Sequence, residues 1–366
     1  MYFLKKYIKI YVLVYKKIRN KTMFFKKKYL GIDIGTTTVK VVVLSFGEQP
    51  KLESYGILEN YAHLERVNEA IQTSSFKLVE KTTAKYLGDL LKKSNIKNRE
   101  AIFSIPCFNT YTSILEIPPL SQKDLERAVY FQAKQYVPMA LSEVSIDWQI
   151  VYKDNTKIKI LLVAVPKELV NRYLTIAKLT NIRIAKMELE SLASARSLIS
   201  KERGVVGVVD IGGRSTSISV FENGVLQSLK TLDIAGGDLT QVISTGLNII
   251  LVRAEEIKRL YGLKPPIGQE EVMKLMIPLL GVIEQEMQRE FTFFSKRTNK
   301  NIEKIYLTGG IANLPGITEY FSNDFKVPVF EGNPFELGLI KFDKKLEPVV
   351  KEIGSSLSVA CGLLMK

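Results

Sequence analysis

The chain has 366 residues, 46% of them hydrophobic, a formal net charge of +14, two cysteines and one histidine. The length suits about two domains, and the apolar share excludes a disordered protein. Cys107 and Cys361 lie far apart with no C-x-x-C, which excludes a disulfide framework and a structural zinc site, and one histidine excludes Ser-His-Asp catalysis, Cys-His catalysis and multi-histidine metal sites.

Residues 1–28, opening "MYFLKKYIKIYVLVYKKIRNKT", carry ten of the fourteen excess positive charges and no acid. The rest of the chain is therefore only mildly basic and lacks the clustered Arg/Lys motifs of a nucleic-acid binder. The leader's longest uncharged run, Ile10 to Tyr15, is too short to span a membrane, and no small-residue cleavage site follows it. Two readings stand: a helix lying on anionic lipid, or a start-site artefact up to residue 22, since Met23 opens "MFFKKKYLGIDIG" just before the first strand.

"YLGIDIGTTTVK" (29–40) reads as an apolar strand that carries Asp33 into a Gly-Thr turn, after which "VKVVVLSF" alternates as a second strand. His63 follows in "ENYAHLERVNEA", a polar stretch suited to a solvated loop or helix face. Farther on, "SIPCFNTYTSILEIPPLSQKDLERAVYFQAKQYVPMALSEVSIDWQIV" reads strand, Pro-Pro stop, helix, Pro138 stop, strand. Ser121 is the expected N-cap, with Asp124 three residues on. Leu125, Ala128, Val129, Gln132 and Tyr136 are expected along one side of that helix. Val144, Ile146, Trp148 and Ile150 alternate with polar residues as a half-buried strand. "KIKILLVAVP" adds a strand, and "KELVNRYLTIAKLTN" and the connecting "MELESLASARSL", which carries Glu190, add helices.

At 205–220 "VVGVVDIGGRSTSISV" repeats the opening pattern: strand, Asp-Ile-Gly, Gly/hydroxyl turn, alternating strand. Asp33-Ile34-Gly35 with Thr38 matches Asp210-Ile211-Gly212 with Ser215, as D-I-G-x-x-[ST]. Two such hairpins facing across a cleft would offer backbone N–H groups and hydroxyls to a phosphate chain from both sides, and their aspartates would hold magnesium through its waters. The turn Glu222-Asn223-Gly224 predicts a hairpin. Gly236-Gly237 predicts a helix start over about Asp238–Gly246, an anion-binding feature. "VRAEEIKRLYG" (252–262) is helical, with Glu255 and Lys258 three apart, a spacing that in isolation also reads as a solvated ion pair. "IYLTGGIANLPGI" (305–317) is a buried strand ending at Gly309-Gly310, where a flat ring could approach the backbone, with Asn313 as expected N-cap and Pro315 in the first helical turn.

In this order, D-I-G-T-T-T, D-I-G-G-R-S-T, A-G-G, A-E-E-I-K and T-G-G-I-A resemble the motifs of the actin, sugar-kinase and heat-shock-chaperone ATPase superfamily over residues 29–366. The resemblance implies an α/β actin-like fold of two related domains around a nucleotide cleft. It implies ATP-phosphate contacts at Gly35, Thr36, Thr37, Gly212, Gly213, Gly236 and Gly237, and magnesium through Asp33 and Asp210. Ribose or adenine contacts follow at Glu255 and Lys258, and adenine packing at Gly309, Gly310 and Ile311. Glu190 falls where the superfamily keeps a residue that orients the attacking water, although Ser191 follows it where relatives commonly carry proline.

The strand-helix-strand-strand insert resembles that of FtsA and, more closely, of the PilM family of type IV pilus assembly, as do "LEIPPLSQKDLERAVYFQAKQYVP", "EVSIDWQIV", "LPGITEYFSNDFKVPV" and the ending "SVACGLLMK". FtsA would continue into a linker and an amphipathic membrane helix. The expected domains are 29–96 with 178–204 and 345–366, an SHS2-like insert at 97–177, and 205–344. The family implies an ATP-binding scaffold, at most a slow ATPase, on the cytoplasmic face of the inner membrane. Its implied partner is the cytoplasmic N-terminal peptide of a PilN-like bitopic membrane protein, beside other pilus components and possible self-association. The alternatives are an FtsA-like division protein or a small-molecule kinase using Glu190 or Asp233 as base.

Overall fold

The computed structural model describes residues 28–59 and 80–365. The leader, with its alternative start at Met23, and His63 lie outside these residues.

Two five-stranded sheets share one plan. In the first, β1 (Lys28–Ile34), β2 (Thr38–Ser45) and β3 (Lys51–Glu59) form an antiparallel meander, and β4 (Glu100–Ile105) and β8 (Arg183–Leu189) add parallel to β1 in the order β3-β2-β1-β4-β8. The second repeats this with β9 (Val205–Ile211), β10 (Thr216–Glu222), β11 (Val225–Leu232), β12 (Lys304–Thr308) and β13 (Val329–Glu331), ordered β11-β10-β9-β12-β13. The matching D-I-G hairpins are thus the first two strands of duplicated sheets. The Asn223-Gly224 link between β10 and β11 has both residues at positive φ (50° and 78°), the two-residue turn its sequence predicts.

The third sheet, β5-β7-β6, is antiparallel and comprises β5 (Tyr111–Ile117), β6 (Val144–Lys153) and β7 (Ile158–Pro166). Between β5 and β6 runs α2 (Gln122–Tyr136), so the chain order is strand, helix, strand, strand, as predicted. Ser121 caps the helix, its Oγ accepting from Asp124 N–H. The buried side of α2 is Leu125, Val129 and Ala133; Tyr136, which the 3.6-residue period places on the same side, is exposed at the helix's last residue. Ile146 and Trp148 pack on this core, but Ile150 is exposed. Strand β4 lies within the span expected for the insert, yet it pairs with β1 in the first sheet, because its alternating Ala101, Phe103 and Ile105 are core residues of that sheet.

Helices cover the sheets. α1 (Glu80–Lys93) and α3 (Lys167–Leu179) pack on the first, joined by α4 (Glu190–Ile199). α5 (Gly236–Leu247), α6 (Leu251–Tyr261) and α7 (Glu271–Thr298) lie on the second. There α7 buries Met276, Leu280, Ile283, Met287, Phe291 and Phe294 at helical spacing. α8 (Ile317–Phe325) links β12 to β13, α9 (Glu347–Ile353) follows, and α10 (Ser358–Gly362) returns to the first sheet. There Ala360, Cys361 and Leu364 share a core with Val42, Leu44 and Leu52.

Glycines permit the closest helix contact. A Cβ at Gly362 would collide with the carbonyl of Ala193 in α4, a backbone atom that no rotamer change can move. Gly88, inside α1, has open space at the same position. Gly362→Ala is therefore expected to cost about 3 kcal/mol by overpacking, whereas Gly88→Ala is expected to gain up to about 1 kcal/mol from helix propensity. Opposite shifts of the urea midpoint would verify both.

Candidate functional site

The site grows out of strand register. β1 and β4 run parallel with Ile32 opposite Phe103, so the next residues, Asp33 and Ser104, are neighbours, and Ser104 Oγ donates to Asp33 Oδ1 at 2.6 Å. Across the β1–β2 hairpin Asp33 faces Lys40, whose Nζ lies 3.4 Å from Oδ2. β8 lies on the far side of β4, so its end delivers Glu190 to the same edge, where Cys107 N–H donates to Glu190 Oε1 at 2.8 Å. In the second sheet β12 pairs Thr308 with Asp210, and the chain then turns at Gly309 (φ 84°), where any Cβ would strike Asp210 or the carbonyl of Ile211. These groups gather outside the carboxyl ends of parallel strands, where open α/β sheets hold ligands.

The two D-I-G turns close alike: Gly35 N–H donates to Thr38 O at 2.9 Å and Gly212 N–H to Ser215 O at 3.0 Å. The amides of Thr36, Thr37, Gly213 and Arg214 take no part in these backbone bonds. The turns meet across the cleft, for a Cβ at Gly213 would lie 2.7 Å from Thr37 Oγ1. A third turn packs behind them: Gly236 N–H donates to Gly212 O and Gly237 N–H to Gly213 O, each at 2.9 Å. These two amides, read from the sequence as phosphate contacts at a helix start, instead hold the second D-I-G turn in place. The helix begins at Gly236, earlier than expected, and Asp238 accepts from Ala235 N–H at 2.8 Å.

Glu255 and Lys258 are not a solvated pair. Lys258 is 3% exposed and bonds Glu255 (2.6 Å), Thr240 Oγ1 (2.8 Å) and Gly236 O (2.8 Å), so it ties α6 to the third turn. Burial pulls the Glu255 carboxyl up, but Lys258, Thr240 and Arg259 together hold it below the usual carboxylate range. Arg259 donates to Glu255 Oε1 at 2.7 Å and reaches Glu59 of the first sheet at 3.1 Å, bridging the cleft mouth.

One cleft of about 390 Å³ is lined by every residue that the resemblance assigns to the nucleotide site: Asp33, Gly35, Thr36, Thr37, Glu190, Asp210, Gly212, Gly213, Gly236, Gly237, Glu255, Lys258, Gly309, Gly310 and Ile311. Its volume falls in the range of small-molecule sites. Gly310 has open space at its Cα, and Ile311 covers Gly236. Asp233 is exposed and does not line the cleft. Asn313 lines it but caps no helix: α8 starts at Ile317, after Gly316 at φ 85°. Asn313 instead donates to Glu352 O and accepts from Ser355 Oγ, while Pro315 O is held by Leu263 N–H and delays the helix. Sequence reading missed Lys40, Glu59, Phe108, Arg214 and Arg259. A lysine within a valine run and an arginine within a Gly/Ser turn were the available signals for two of them.

Three carboxylates, Asp33, Asp210 and Glu190, converge on this edge with Lys40 as the nearby cation. Burial raises the Glu190 pKa, and Asp210 and Asp33 raise it further, against the pull of Cys107 N–H and Lys40. Burial also raises that of Asp210. Among the described residues no group of three or more His, Cys, Asp and Glu side chains is placed to hold a metal ion directly.

Duplicated sheets with D-I-G hairpins facing across a cleft define an actin-like protein. The sequence model described as "Type IV pilus assembly protein PilM" matches residues 31–366, and the chain belongs to that family. The structure resembles that of a PilM-PilN type IV pilus biogenesis complex (TM-score 0.80, 23% identity, 92% of this chain and 97% of that one). It also resembles MreB 5 of Spiroplasma citri bound to AMPPNP (TM-score 0.50, 14% identity, 92% and 94%). The curated relatives include FtsA of Neisseria meningitidis, 28% identical over 202 residues, 48% of each chain, and FtsA of Buchnera aphidicola, 22% identical over 385 residues, 88% of each. The chain spans about half the length of the first curated relatives it matches.

A carboxylate whose folded pKa is raised favours folding below its unfolded pKa, and that contribution is lost as pH rises through the folded value. Carboxyls with lowered pKa, such as Glu255, contribute stability that is fully present above their unfolded pKa and is lost only at more acid pH, so they do not set the slope in this range. The ligand-free protein is therefore expected to lose thermal stability as pH rises from about 5 to about 8, and Glu190→Gln is expected to flatten that slope. Melting midpoints across this range in both proteins test it.

Proposed function

We propose that the chain is an ATP-binding scaffold of type IV pilus assembly, working at the cytoplasmic face of the inner membrane through a PilN-like membrane partner. The observation that carries the nucleotide reading is the meeting of the two D-I-G turns, Gly213 against Thr37, in a cleft that also holds Glu255, Lys258 and Gly310. The turn amides and hydroxyls would receive the phosphates. Asp33 and Asp210 would hold magnesium through its waters, a donor set that suits an ion carried mainly by phosphate. When bound, that ion would neutralise phosphate charge. Gly309, Gly310 and Ile311 would face the base, Glu255 and Lys258 the ribose side, and Glu190 would orient water.

Asp210→Ala is expected to weaken Mg-ATP binding about tenfold or more, as loss of a charged partner does, and to abolish stabilisation by ATP. Unchanged affinity in a fluorescent-nucleotide titration would refute the site. Turnover is expected well below the ~1 per second of ordinary enzymes, because among the described residues of the cleft we assign water activation to Glu190 alone. A robust basal rate would favour an enzyme.

The partner reading rests on family membership, on the strand-helix-strand-strand insert, and on the solved neighbour being a PilM-PilN complex. Among the described residues no helix is long and apolar enough to cross a membrane. An extended apolar-anchored peptide would dock in a groove beside the insert, which we regard as a separate subdomain built on β5, α2, β6 and β7. Deleting residues 1–22 is expected to leave recruitment to membranes intact, and disrupting the insert at Ile146 and Trp148 to abolish it. Co-fractionation with a PilN-like protein measures both. Because Ile146 and Trp148 pack on the insert core, circular dichroism must first show that the variant is folded. Release by the leader deletion alone would make the leader a lipid anchor.

A further inference from the structure

The insert reaches the cleft through its root. After β4 the chain passes Pro106 and makes a single 3-10 turn, Cys107–Asn109, before β5 begins at Tyr111. Two bonds fix this turn from opposite sides. Cys107, only 3% exposed, gives its N–H to Glu190 Oε1 at 2.8 Å, on the first domain's side. The ring of Phe108 lies under the guanidinium of Arg214, 5.2 Å from carbon to centroid, on the second domain's side. Arg214 sits in the second D-I-G turn between Gly213 and Ser215, and Pro106, Phe108, Glu190 and Arg214 all line the cleft. Strand β5 itself lies against β11 of the second sheet, so no part of the insert's entry is free of both domains.

We infer that Cys107 and Phe108 are positioning residues of the nucleotide site. Cys107 N–H aims Glu190, the Phe108 ring steadies Arg214, and the turn between them links the insert to the phosphate turns. The inference rests on the nucleotide reading above and adds to it which residues carry the coupling. The Arg214 contact involves a charged group in a partly water-excluded cleft, where cation–π contacts are strongest, and the Cys107 N–H is a backbone donor whose direction the 3-10 turn fixes. A phosphate arriving at the second turn competes with the ring for Arg214, and any shift of Phe108 moves the peptide that holds Glu190. By linkage, whatever repositions the insert must alter nucleotide affinity by the same factor that nucleotide alters the insert.

The test uses the full chain with Mg-ATP, saturation being established independently by fluorescent-nucleotide displacement. Hydrogen exchange of β5, β6 and β7 is the readout. In the wild type, saturation is expected to change exchange of these strands by about fivefold or more. In Phe108→Leu, and in Cys107→Pro, which removes the N–H along with the thiol, the change is expected to drop below about twofold at equal saturation. Phe108→Tyr, which keeps the ring, and Cys107→Ala, which keeps the N–H, should restore it. Proline is admissible at 107 because Pro106, at φ −67° and ψ 137°, already holds the extended conformation required before proline, and the first position of a helical turn tolerates it. Should Cys107→Pro not fold, the Leu/Tyr contrast at 108 decides. An insert that stays silent in saturated wild type, or variants that respond like wild type, would overturn the inference and leave nucleotide binding standing. Failure of Mg-ATP to bind at all would overturn the nucleotide reading and this inference together.

Discussion

The arrangement depends on three turns whose backbones touch. Gly212 and Gly213 accept from Gly236 and Gly237, and a Cβ at Gly237 would sit 2.6 Å from Gly213 O. Gly213 in turn faces Thr37 from the other sheet. No side chain fits in these gaps, so the glycines fix how near the two sheets can come. Lys258 braces the third turn from behind through Gly236 O, and Ile311 covers it from above. The cleft's width and the convergence of its aspartates follow from these contacts.

That convergence has an electrostatic cost. Three carboxylates lie at one edge, and burial, which raises two of them, makes their ionisation unfavourable against the pull of Lys40. Lys40 and Ser104 relieve Asp33 first, leaving Asp210 and Glu190 as the strained members. A buried anion without a full partner is what a cationic ligand can relieve. The same geometry therefore lowers ligand-free stability and favours a ligand that brings positive charge. The opposite wall works in reverse: Glu255 is paired with both Lys258 and Arg259, so its charge is already compensated there.

The paired D-I-G turns were legible because duplication multiplies a weak local pattern, and the same repeat anticipated two related domains, whose sheets prove to share one strand order. Asn223-Gly224 and the Ser121 cap were legible because turn and cap chemistry is local. What failed depended on distant neighbours. Asn313 looks like a cap, but Glu352 and Ser355 take its side chain. The Gly236 and Gly237 amides look free, but carbonyls of the second turn claim them. Glu255 and Lys258 have the spacing of a surface pair, and only tertiary packing puts them inside. Phe108 carries no signal at all until the fold brings Arg214 above it.

The first sheet draws its core from both ends of the described chain: Val42, Leu44 and Leu52 pack against Ala360, Cys361 and Leu364, and Gly362 nests on Ala193. During synthesis, β1 to β3 must wait for these residues, whereas the second sheet and its helices are complete once β13 has emerged from the ribosome. Domains emerging on the ribosome ordinarily fold in chain order; here the later one can finish first. The half-built first sheet then exposes the apolar surface later covered by α10 until residues 360–364 have been made, and exposed apolar surface of that kind invites aggregation.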